Sequence, residues 1–156
     1  MPNPRARLVL TDAEQAEILR EARILQVASI NHDGTPHLVP MWFELDDDGL
    51  IVFTTYATAQ KVLNLDRDPR ITVLAETGTA YNELRGVSID ARAEVVRDPQ
   101  VTARALALVG AKYANRPRPE RPATPPAELP AQASKRVTVR IHPLRVRSWD
   151  HRKLGS

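Results

Sequence analysis

Three short stretches of this 156-residue chain carry side chains that could do chemistry. The first is Thr54-Thr55-Tyr56-Ala57-Thr58-Ala59-Gln60-Lys61, where an apolar extended run gives way to a helical pattern. With Thr58 as N-cap and Lys61 in the first turn, hydroxyls, free backbone amides and the positive helix end would gather around one cation. That set suits an anion, a phosphate above all. An ordinary threonine cap beside a solvated lysine fits the same residues. The second stretch is Pro36-His37-Leu38-Val39-Pro40-Met41-Trp42-Phe43. Pro40 donates no backbone hydrogen bond, so the strand must lie at an edge or carry a bulge. A bulge would leave peptide groups free for a flat ring stacked along the strand, with Met41 and Trp42 as apolar surface. An edge strand with a buried tryptophan is the other reading. The third stretch, Arg145 to Leu154, sets Trp149 and His151 among basic side chains. It could close over an anionic ligand or be a basic tail, although tryptophan is seldom left in water.

Other chemistries find no residues. There is no cysteine, which removes disulfides, thiol nucleophiles and cysteine-type zinc sites. His32 and His37 flank a turn without a third ligand at metal spacing, so no metal is expected. GxSxG, GxGxxG, Walker A and HExxH patterns are absent. Asp46-Asp47-Asp48 lacks EF-hand spacing and reads as a solvated turn. Only Tyr113 and Trp149 are aromatic after residue 100, too few for a nucleic-acid stacking surface.

The elements that must position these residues follow from local pattern. Thr11-Asp12-Ala13-Glu14 is a capping box opening a helix over 12–23. Strands are predicted over 24–30, 36–45 and 50–55, joined by the turns Asn31-His32-Asp33-Gly34 and Asp46-Asp47-Asp48-Gly49. A helix over 58–66 ends before Pro69. Strands over 70–76 and 86–97 follow, then a helix from Pro99 to about Tyr113, capped by Asp98. Residues 116–130 hold six of the thirteen prolines and are predicted to be a loop. A last extended pair, 135–141 and 144–149, breaks at Pro143. Six antiparallel strands with helices predict a mostly β, six-stranded split barrel in one domain over 1–156, with residues 1–10 flexible. An open sheet with helices on one face is the rival, and a barrel leaves fewer bare edges.

Composition agrees with a globular chain: 42% hydrophobic and 26% charged. No apolar run approaches the roughly 20 residues of a membrane-spanning helix, and no export signal is visible, so a cytoplasmic protein is expected. The net charge of +3 hides an asymmetry. Residues 1–100 carry 10 Lys/Arg against 16 Asp/Glu, whereas 101–156 carry 12 against 3. A basic second part suits an anionic ligand.

Several blocks occur together in one order. They are Ala28-Ser29-Ile30 with Asp33-Gly34-Thr35-Pro36-His37-Leu38, and Gln60-Lys61-Val62-Leu63-Asn64-Leu65 with Arg67-Asp68-Pro69-Arg70. Tyr81-Asn82-Glu83-Leu84-Arg85-Gly86-Val87, Lys135-Arg136-Val137 and Ser148-Trp149-Asp150-His151-Arg152-Lys153-Leu154 complete them. Over residues 11–154 the chain resembles the pyridoxamine 5′-phosphate oxidase-like split β-barrel family. Within it, the chain is most similar to the flavin/deazaflavin oxidoreductases that bind coenzyme F420.

The resemblance implies a homodimer with two cofactors at the interface and hydride transfer to a small conjugated substrate. It implies that Lys61 with Thr54, Thr55 and Thr58 holds the cofactor phosphate and that the ring lies along Pro40, Met41, Trp42 and Phe43. Gln60 and Trp149 are further expected contacts, and Arg67, Arg136 and Arg152 are expected contributors. FMN-using members add an arginine early in the second strand, and this chain has none between Ile30 and Lys61. FMN-dependent oxidation and non-catalytic F420 carriage are the alternatives. The chemistry is expected to be borne by the cofactor, with His37, Tyr56 and His151 as the few candidate proton donors.

Overall fold

The computed structural model describes residues 3–155, so the first two residues of the expected flexible 1–10 segment lie outside the described residues. Three α-helices and seven strands run in the order α1 (Asp12–Glu21), β1 (Leu25–Ile30), β2 (Pro36–Met41), β3 (Glu44–Leu45), β4 (Ile51–Tyr56), α2 (Gln60–Arg67), β5 (Arg70–Thr77), β6 (Arg85–Val96), α3 (Pro99–Tyr113) and β7 (Arg136–Asp150). All strand pairs are antiparallel and form one sheet, ordered β2-β1-β5-β6-β7-β4-β3.

That order forces curvature. β2 and β3 lie at opposite edges, yet only Trp42 and Phe43 separate them. Three Cα steps span about 11 Å at most, so the sheet must roll until its edges almost meet. The result is the split barrel expected from sequence, with seven strands rather than six. The extra strand arises because the predicted 36–45 strand divides at Trp42-Phe43, its first part pairing with β1 and its last two residues with β4.

Alternation along the strands fills the roll. Leu25 and Val27, Ile71, Val73 and Ala75, Val87 and Ile89, Val139 and Ile141, and Ile51 and Phe53 form one buried cluster with Phe43. Helix α1 plugs it with Ile18, and Thr11 and Glu14 make the predicted capping box, the threonine hydroxyl accepting from the Glu14 amide at 3.2 Å. The segment before α1 is tied down rather than loose. Leu10 is buried, its amide donates to Ser148 Oγ at 3.0 Å, and the Asp150 amide donates to the Leu8 carbonyl.

The last extended pair is also one strand. β7 passes Pro143 because the register slips there: Ala91 faces Pro143 while Asp90 faces Arg145. Such a bulge absorbs the missing proline donor without ending the ladder. Helix α3 begins as predicted, with Asp98 accepting from the Gln100 amide at 2.8 Å, and it covers the outer side of β4 and β7. Among the described residues no helix is long and apolar enough to cross a membrane, and no group of three or more His, Asp or Glu side chains gathers as a metal site would require.

Candidate functional site

Among the described residues, the edge strands of this sheet, β2 and β3, have no outer partner. β2 has β1 on one side only, and β3 covers β4 only at Ile51 and Val52. From Phe53 to Tyr56, β4 therefore keeps one free edge, beside the split. Edges of this kind expose unpaired peptide groups and are normally covered or blunted.

The junction from β4 to α2 closes one end of the split. Beyond Tyr56 the Ala57 amide donates to the Lys135 carbonyl at 3.1 Å and the Ala59 amide to the Tyr56 carbonyl at 3.0 Å. This tight turn delays the helix, so Ala59 is its N-cap and no side chain caps it. Thr58, expected to be that cap, lies exposed in the turn. Lys61 falls at the second helical position, half-buried, and its ammonium donates to Thr55 Oγ1 at 3.1 Å. Among the described residues it has no ion-pair partner, and the first turn of α2 holds no acidic residue. Burial pulls its pKa below the ordinary lysine value. A desolvated cation resting on a neutral hydroxyl is incompletely compensated. An anion would complete it.

A second cation stands across the ladder. Arg136 pairs in register with Tyr56, and its guanidinium carbon lies 4.3 Å from the Tyr56 ring centroid. Its Nε is buried and has no hydrogen-bond partner. Thr54 does not join Lys61. Neighbouring strand residues point to opposite faces, and Thr54 pairs with Thr138, whose hydroxyl bonds Thr102 on α3 at 3.1 Å. Thr55 thus faces Lys61, whereas Thr54, and with it the Tyr56–Arg136 pair, lies on the opposite face.

Asn64 fixes α2 against the first hairpin. Fully buried, it donates to Ser29 Oγ at 3.1 Å and Asn31 Oδ1 at 3.0 Å, and it accepts from Gln60 Nε2 at 2.8 Å and Arg67 at 3.3 Å. Gln60 thereby positions the helix start, and Arg67 also reaches the Ile30 carbonyl. His37 pairs in register with Ser29, which puts it beside this network, and its Nδ1 is buried without a partner. Sequence reasoning passed over Asn64; an amide between Val62 and Leu65, both buried, was the available signal.

At the far end of β2 the expected ring-binding residues separate. Pro40 is exposed on the edge strand, Met41 packs inward on the core and Phe43 is wholly buried. Trp42 remains 57% exposed and stacks on Tyr113, rings 4.3 Å apart and 11° from parallel. The Tyr113 hydroxyl accepts from the Phe43 amide at 3.1 Å and donates to the Arg23 carbonyl at 2.6 Å. Lys112 lies 3.8 Å above the Phe43 ring and donates to the Leu19 carbonyl, and desolvation lowers its pKa to about 8.

Trp149 and His151 sit elsewhere in this chain. Trp149 pairs with Gly86, where any side-chain carbon would overlap the indole. His151 Nδ1 lies 2.7 Å from the Tyr81 carbonyl oxygen. Arg136 and Asp150 are at opposite ends of β7, so one chain does not bring its C-terminal block to Lys61. Arg152 is held by Asp150 through a two-pronged contact.

Comparison with known proteins places this architecture. A conserved hypothetical protein from Mycobacterium tuberculosis is 41% identical, with 97% of this chain and 92% of that chain covered and a TM-score of 0.85. An F420 reductase (22% identity, 84% and 94% covered, TM-score 0.64) and an FAD-binding protein from Mesorhizobium loti (19%, 90% and 94%, TM-score 0.65) share the fold. No curated protein matches. The family model described as pyridoxamine 5′-phosphate oxidase matches residues 11–150, nearly all of the rolled sheet. The chain belongs to the pyridoxamine 5′-phosphate oxidase family.

Proposed function

We propose that this chain is an F420-dependent oxidoreductase that moves a hydride between the deazaflavin and a small conjugated organic substrate. The observation that carries the reading is Lys61, a half-buried ammonium held by a hydroxyl alone. It rests on Thr55, in the part of β4 that keeps a free edge. A phosphate there would accept from the Lys61 ammonium and the Thr55 hydroxyl, so the residues fit the group. The family membership and the F420 reductase of the same fold support a redox coenzyme of this kind.

The hydride chemistry belongs to the coenzyme, and the protein supplies grip, orientation and a dry surface. Lys61 with Thr55 holds the anionic end. Asn64 keeps α2, and hence Lys61, in place. His37 offers an imidazole beside the split, and Tyr56, 56% exposed, offers a phenol. His151 is turned to Tyr81, so it serves a second site only if a second copy of the chain brings it there. A homodimer does this, and it also covers the bare edge of β2 and the exposed Leu38 and Trp42.

Titration of the purified protein with F420 and with FMN, followed by tryptophan fluorescence, tests the reading. F420 should bind more tightly, and Lys61→Ala should weaken it at least tenfold while the fold stays intact. Tighter FMN binding favours the FMN-dependent alternative suggested by the family description. Tight F420 binding without oxidation of the reduced coenzyme by any of a panel of enones and quinones favours a carrier. Unchanged affinity in Lys61→Ala removes the phosphate assignment.

A further inference from the structure

A hollow lies away from the Lys61 junction, on the outer side of the barrel. It measures about 830 Å³ and is lined by α3, by residues of β4, β6 and β7, by the Asp46–Asp48 turn and by the proline-rich strap from Pro119 to Pro130. Ligand clefts fall between about 300 and 1,000 Å³. Part of its wall is apolar, with Val52, Val101, Ala105 and Leu108 lining it together with prolines of the strap.

The polar groups around it answer one another. Arg104 grips Asp47 through two bonds of 2.9 and 2.8 Å, and Arg140 reaches Asp46 at 2.9 Å and Asp48 at 2.7 Å. Thr138 bonds Thr102. Counted together, Asp46, Asp47, Asp48, Glu94 and Glu120 stand against Arg104, Arg121 and Arg140 around the lining, an acidic balance that disfavours an anion. The strap itself makes no strand pairing. Arg104 donates to the Glu120 and Pro119 carbonyls, Gln100 donates to Pro126, and Arg118 ties it to the Leu45 carbonyl. Side-chain ties on a stiff proline segment make a cover that can lift without unfolding the barrel.

We propose that this cavity is a binding site for a neutral, predominantly apolar small molecule, distinct from the Lys61 region and independent of which coenzyme the protein uses. Its charge balance selects against anions, and its strap gates entry.

The neutral fluorophore 1-aminoanthracene tests the site by titration of the full chain. Saturable 1:1 binding is expected, and Ala103→Trp, which projects a ring into the hollow, should weaken it at least tenfold. Gln100→Trp, at an exposed helix position on the same rim, should do the same and decides the matter if Ala103→Trp does not fold. Leu144→Glu, at a 76% exposed sheet residue outside the cavity, should leave affinity within twofold. The anionic 1-anilinonaphthalene-8-sulfonate should displace the probe at least tenfold less well than a neutral naphthalene. No saturable binding, unchanged affinity in the folded tryptophan variants, loss of binding in Leu144→Glu, or equal displacement by the anion would each overturn the proposal.

Discussion

Arginine and lysine meet opposite fates in two regions of this barrel. At the Asp46–Asp48 turn, Arg104, Arg118 and Arg140 all find carboxylates within 3.3 Å. At the β4–α2 junction, Lys61 and Arg136 have none among the described residues, although both are partly buried. Cations that fold the protein are compensated by the protein. On the function proposed above, a cation kept for a ligand is left with a hydroxyl in place of a carboxylate, and the fold tolerates the cost.

The sharpest test of this contrast is Asn64→Leu. It strips four hydrogen bonds from a fully buried hub and leaves Ser29 and Asn31 without their donor, so urea unfolding should show a loss of roughly 2–3 kcal/mol. The coenzyme grip should fall with it, because α2 carries Lys61. Next comes Asp47→Ala, which removes the carboxylate from Arg104, leaving it only carbonyl partners, and frees Arg118 from one tie. Both partners keep some solvent, so the loss should be about 1 kcal/mol by the same measurement, with coenzyme affinity unchanged. If removing this carboxylate weakened coenzyme binding as much as removing Lys61, the two regions would not be separate.

Lys112 offers a pH test. Its folded pKa lies near 8, below the unfolded value, so the unfolded chain binds more protons between the two. Stability contributed through this group should therefore rise as pH climbs from about 8 toward the ordinary lysine range near 10.4. The melting temperature of Lys112→Met should lose that rise relative to wild type between pH 7.5 and 10. The smallest effect belongs to Lys61→Met in the ligand-free protein. Loss of an unpaired, half-buried cation should leave stability unchanged or slightly higher by thermal melting, and a clear drop would assign Lys61 to folding.

Much of the barrel was legible in the sequence because its strands alternate and its turns carry Asn, Asp and Gly. Gly34 and Gly49 do take positive φ at the predicted hairpin turns. What local pattern cannot carry is pairing. The break at Trp42-Phe43 is invisible until β2 and β3 are seen at opposite edges. Thr54 and Thr55 looked equivalent until the register sent one to α3 and the other to Lys61. Thr58 was the better cap by residue type, yet the turn tied by the Tyr56 carbonyl moved the helix start to Gln60. Lys61 itself was read correctly as a cation in the first turn. The cavity under the strap was not legible as a volume, since prolines announce a loop and not the space beneath it.

The Trp42–Phe43 link has a mechanical consequence. Among the described residues it alone joins the two margins of the rolled sheet directly, and Phe43 anchors it in the interior while Tyr113 holds it from outside. Lengthening it by a few flexible residues would release the hoop and let the barrel widen like an unclasped bracelet, with every strand still bonded to its neighbours.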